Sequence, residues 1–133
     1  MKLKLLSLVL LFCYIGYSQT NEKITTIETV EILNNSTDEA VYYFQNNWKQ
    51  LRVKAVNKGY IHSYQLLKTS YNEETPFHLI LITTYSNKKQ FEKREAHFRE
   101  LIEASGDLKL LSKKEPSEFR KSVFSVEGAK HLE

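Results

Sequence analysis

His62, His78, His97 and His131 are the side chains of this sequence whose ordinary titration falls near neutral pH. A hairpin turning at residues 72–75 would set His62 opposite Tyr85 and His78 opposite Thr69, at opposite ends of two paired strands. Those two histidines cannot share a metal within one subunit. His97 precedes Glu100 by one helical turn, a spacing that can chelate. Lys89, Lys93, Arg94 and Arg99, however, interleave there with Glu92, Glu95, Glu100 and Glu103, the pattern of a solvated charged face with a favourable Glu95–Arg99 pair. His131 lies in a C-terminal tail. No metal site is expected. The aromatic residues point further: Trp48, Tyr60, Tyr64 and Tyr85 could line a pocket between helix and sheet, with His62 as its titrating group. Trp48, His62, Tyr64 and Tyr85 are therefore the candidate pocket residues. The competing structural reading places Trp48 and Phe44 in the core and leaves the tyrosines half-buried with wet hydroxyls. No serine or threonine sits in a glycine-framed nucleophile turn, and no glycine-rich loop could cradle a phosphate. No cofactor is implied.

The elements that would position these residues are legible from their periods. Residues 24–33 carry β-branched side chains on both parities and read as a strand ended by Asn34 and Asn35. Ser36 to Glu39 matches a capping box, and Val41, Phe44, Trp48, Leu51 and Ala55 follow as one face of an amphipathic helix stopped by Gly59. Residues 60–70 and 77–86 read as two strands joined by a polar loop ending at Pro76. Asn87 can cap a second helix with Gln90 at its third position, and Phe91, Phe98, Leu101, Ile102 and Ser105 mark that helix's inner face. Residues 119–126 read as a fourth strand, with 126–133 as a tail.

The order β-α-β-β-α-β predicts an α+β, ferredoxin-like domain, a four-stranded antiparallel sheet with two helices on one face. Leu79-Ile80-Leu81-Ile82 is apolar on both parities, which calls for burial on both sides of the third strand. The helices can cover only one side. A bare apolar sheet face is more than a monomer usually tolerates, so a two-fold homodimer through that face is expected.

The N-terminus bounds the compartment. Lys2 and Lys4 followed by an uncharged apolar run from Leu5 to Tyr17, with Ser18 before Gln19, have the three parts of a secretory leader. The run is short for a membrane span, which needs about 20 residues; an uncleaved anchor is the alternative. Residues 1–18 are read as a signal peptide and 19–133 as one domain with its core at about 24–126, exported to the periplasm or the extracellular space. The chain holds 19 basic and 16 acidic residues, and without the leader's two lysines the formal charge falls to +1. Such a domain has no broad field for nucleic acid and no membrane attachment once the leader is gone. Cys13, the single cysteine, also leaves with the leader, so no thiol chemistry or disulfide remains.

At fold level the sequence resembles the dimeric α/β-barrel superfamily. The resemblance rests on Trp48-Lys49-Gln50-Leu51, on Asn57 to Leu67 with Gly59-Tyr60 leading into Leu66-Leu67, and on Thr83-Thr84-Tyr85-Ser86-Asn87 before Phe91. It spans roughly residues 24–126. Members include antibiotic-biosynthesis-type monooxygenases, haem-degrading enzymes and many proteins without assigned chemistry. The haem-degrading branch places its tryptophan on a later strand than the helix that carries Trp48, so that constellation does not transfer. The expectation is a homodimeric module that binds a small apolar or aromatic ligand or serves as an accessory protein. The alternative is a cofactor-free monooxygenase-like or haem-handling enzyme.

Overall fold

The computed structural model describes residues 22–132, so the leader lies outside the described residues. Alternating β-branched and polar residues make β1, Ile24–Ile32, a strand with two unlike faces. Asn34 and Asn35 then take positive φ (55° and 53°), which asparagine tolerates better than most residues, and turn the chain into the first helical arm. That arm runs as α1, Thr37–Tyr43, through a π-helical turn at Phe44–Trp48 into α2, Lys49–Asn57. Two strands follow, β2 at Ser63–Lys68 and β3 at Leu79–Tyr85. The second arm is α3, Lys88–Glu92, and α4, Arg94–Ser105. A helical turn α5, Pro116–Phe119, leads into β4, Arg120–Lys130.

The sheet is antiparallel in the order β2-β3-β1-β4, the ferredoxin-like arrangement predicted from the element order. Register decides what each face carries. Ile24, Val30 and Ile32 of β1 share a face with Leu79, Leu81 and Tyr85 of β3. All six are buried, against Ala40, Phe44, Ala55, Leu101 and Phe119 from the helical side. The opposite face carries Ile27, Ile80, Ile82, Leu67, Phe124 and Val126. There Leu67, Phe124 and Val126 are 43–49% exposed and the three isoleucines are half-exposed. Among the described residues no helix covers this face, so β3 is apolar on two sides and shielded by its own chain on one.

Two local expectations change. The capping box at Ser36 does not form. Lys114 Nζ reaches from the connector to Ser36 Oγ (2.9 Å) and Glu39 Oε1 (3.1 Å), and Ser36 makes no side-chain bond to the helix amides. A charge-assisted partner takes the place of the reciprocal cap, and the local backbone bond together with Lys114 holds the Glu39 carboxyl below its ordinary range. A reciprocal box forms instead at Glu115 and Glu118, where Pro116 opens α5. Finally, residues 127–130 are not a tail. A bulge opposite Thr26, with Gly128 at φ 76°, lets β4 continue to pair Ala129 with Thr25 and Lys130 with Ile24. His131 Nε2 then lies 2.6 Å from Thr25 Oγ1.

The cap at Asn87 forms as read: its Oδ1 accepts from the Gln90 amide at 2.9 Å, while Gln90 Oε1 takes the Ser86 amide at 2.7 Å. Asn87→Ala is expected to cost about 1 kcal/mol, read as a lower urea midpoint with an unchanged slope.

Candidate functional site

The two helical arms leave a gap over the β1–β4 half of the sheet, because α4 packs toward α2 and stops short of β4. The gap is a cleft of about 490 Å³, within the range of small-molecule sites. Thr26 and Glu28 of β1, Tyr85 of β3, and Ser122 and Ser125 of β4 form its floor. Arg52 of α2, Phe98 and Ile102 of α4, and Arg94, Glu95 and Glu127 at the mouth complete it.

Arg52 is set by the residues around it. It stands four positions after Trp48, one turn along the same helix face. Its Cζ lies 4.3 Å from the centroid of the Trp48 ring and 4.2 Å from that of Phe98. Two rings this close crowd the guanidinium by cation–π contact, and its hydrogen bonds are left to the in-plane N–H donors. The Nε edge donates to buried Thr83 Oγ1 at 3.3 Å. No carboxylate among the described residues lies within ion-pair distance of Arg52. Burial pushes the guanidinium down to about 10, and Tyr85 and Glu28 only partly oppose that shift. Burial in turn raises the Tyr85 hydroxyl above its ordinary value, against the pull of Arg52 and Arg94. Glu28 accepts from Ser122 Oγ at 2.6 Å, and Arg94 pairs with Glu127 at 3.2 Å at the mouth.

The candidates from the sequence are distributed unevenly. Tyr85 lines the cleft, with its ring edge-on to Phe91 at 5.4 Å. Trp48 forms a wall behind Arg52 and meets Tyr64 edge-on at 6.1 Å. Tyr64 faces the neighbouring β2 groove. His62 is exposed, at the start of the hairpin where its amide donates to Thr84 O at 2.8 Å, and it is not among the residues that line the cleft. Tyr60 is also elsewhere. It stacks on His97 with centroids 3.7 Å apart and donates to Glu100 Oε2 at 2.7 Å. With Lys58 it holds the Glu100 carboxyl below its ordinary range, and no Glu95–Arg99 pair forms among the described residues. His78 is structural: its Nδ1 accepts the Ile32 amide at 2.9 Å and closes the end of β1. The register puts His62 and His78 at opposite ends of the hairpin, as read. Among the described residues no group of three or more His, Cys, Asp or Glu could hold a metal, and no helix is long and apolar enough to cross a membrane.

The residues that sequence reasoning missed are Arg52 and Glu28. Glu28 had a signal, being a carboxylate on the parity of β1 that also carries Ile24, Val30 and Ile32. Arg52 had a weaker one, a cation one turn beyond the only tryptophan.

No family model matches the chain, and no curated protein is significantly similar to it in sequence. Among solved structures, HapK from Hahella chejuensis superposes with a TM-score of 0.48 at 13% identity, over 80% of this chain and 90% of that one. A Nitrosomonas europaea protein described as "Putative antibiotic biosynthesis monooxygenase" gives 0.42 at 16% identity, over 84% and 94%. No residue's role passes from either protein to this chain, whose ferredoxin-like order stands on its own strand pairing.

Proposed function

We propose that this chain is an exported, homodimeric module that binds a small, largely aromatic ligand in the cleft between α4 and the sheet. The observation that carries the reading is Arg52, a guanidinium packed against two aromatic rings at a cleft of ligand size, with its Nη edge unengaged among the described residues. An arginine kept this far out of water without a carboxylate partner costs stability, and a ligand offsets that cost. The dimer follows from the uncovered face around Ile80 and Ile82, and export from the leader; both support an accessory role outside the cytoplasm. Trp48, the only tryptophan, stacks on Arg52 and reports directly on occupancy. A fluorescence and thermal-shift screen of aromatic acids, phenols and their neutral analogues is expected to give saturable changes in Trp48 emission with a raised Tm. A flat response across the whole panel contradicts the reading.

A second reading, a cofactor-free monooxygenase-like enzyme, is favoured by Glu28 in the same cleft. A carboxylate able to take a proton beside a cation able to hold the resulting oxyanion is the minimal apparatus for activating a phenol. Oxygen consumption with hydroxynaphthalene substrates, abolished in Glu28→Gln, supports it. Binding without oxygen uptake leaves the first reading alone.

A further inference from the structure

The free edge of Arg52 restricts what the cleft can hold. Trp48 and Phe98 crowd the guanidinium, with ring centroids 4.3 and 4.2 Å from its Cζ, and its N–H donors all point outward in the guanidinium plane. Only an acceptor in the guanidinium plane can meet the Nη edge, and a planar carboxylate matches that fork with two oxygens. The other charges facing the cleft are already placed. Arg94 and Glu127 neutralise each other at the mouth, and Glu95 is exposed. Glu28 remains inside, two residues from Thr26 on the same face of β1, and Thr26 pairs with Thr83, which holds Arg52. A bare anion would meet Glu28 as well as Arg52. A ligand with a hydrogen-bond donor beside its carboxylate satisfies both.

Taking the cleft as a ligand site, we infer that its ligand is an aromatic carboxylate with an adjacent O–H or N–H, the carboxylate held in plane by Arg52 and the donor accepted by Glu28. Arg52 is then the specificity-determining residue of the cleft. Thr83 is a positioning residue that fixes the guanidinium through Nε.

The test uses 3-hydroxy-2-naphthoate, its methyl ester and plain 2-naphthoate, titrated by calorimetry and by Trp48 emission. The hydroxy acid is expected to bind about 30-fold more tightly than the ester, the scale of a charged bidentate contact. Arg52→Gln removes that preference, weakening the acid far more than the ester, and far-UV circular dichroism shows that the variant folds. Arg52→Lys recovers little of it, because an ammonium cannot present two in-plane donors. Glu28→Leu weakens the hydroxy acid and leaves 2-naphthoate as tight or tighter. Equal binding of acid and ester, or undiminished acid binding by Arg52→Gln, overturns the carboxylate assignment while the cleft stands as a ligand site. Failure of all three probes overturns the ligand site together with the assignment.

Discussion

Phe119→Ala is expected to lower the unfolding free energy by about 3–5 kcal/mol, the range for deleting a fully buried aromatic side chain. Phe119 is 1% exposed and is the largest fully enclosed side chain among the described residues. It ends α5 just before β4 and plugs the core formed by Val30, Ile32, Ala40, Phe44, Leu79 and Leu81, with its ring 5.6 Å from that of Tyr43. Its carbonyl accepts the Leu33 amide at 3.0 Å, so the side chain and the main chain both tie β4 to the end of β1. The described residues hold no disulfide that could limit the loss. A small domain typically has 5–15 kcal/mol in total, so the variant should unfold at a markedly lower guanidinium concentration. A loss under about 1 kcal/mol would mean that the core closes around the gap or is anchored elsewhere.

Ile82→Glu is expected to turn the proposed dimer into a folded monomer. Ile82 lies at the centre of the uncovered face, paired with Ile27 on β1 and Gln65 on β2, and Ile27 in turn pairs with Val126 on β4. It is half-exposed in the single subunit, so a carboxylate there stays wet and folding is barely affected. In a two-fold interface the same substitution occurs on both sides and buries two like charges without partners. The dimer constant should weaken on the order of 100-fold or more, each factor of ten being about 1.4 kcal/mol. Sedimentation shows the mass, and far-UV circular dichroism shows an unchanged fold. An Ile82→Glu protein that remains dimeric places the interface elsewhere.

The fold was legible because its main elements carry strong periods. The Val41–Phe44–Trp48–Leu51–Ala55 stripe and the double-sided run at Leu79–Ile82 specify an inner helix face and a central strand whatever their surroundings. Interactions between distant segments were not legible. Ser36 and Glu39 have the right types and spacing for a cap, yet Lys114, 78 residues away from Ser36, takes both. Nothing local marks the continuation of β4 past its bulge, because the pairing that requires it belongs to Thr25 and Ile24. The same limit applies to the site. Tyr85 and Trp48 stand out by residue type, whereas Arg52 matters only because Phe98 from the other helical arm packs against it too. His62 stands out by residue type as well, but the hairpin start carries it to the surface.

The central claim is that a second copy of the chain covers the sheet face opposite the helices. Sedimentation equilibrium of the unsubstituted protein at low micromolar concentration tests it most directly. The predicted result is a single species of twice the chain mass that persists in high salt, as expected for an apolar contact. One chain mass across the whole concentration range, with Leu67, Phe124 and Val126 left in water, would contradict it.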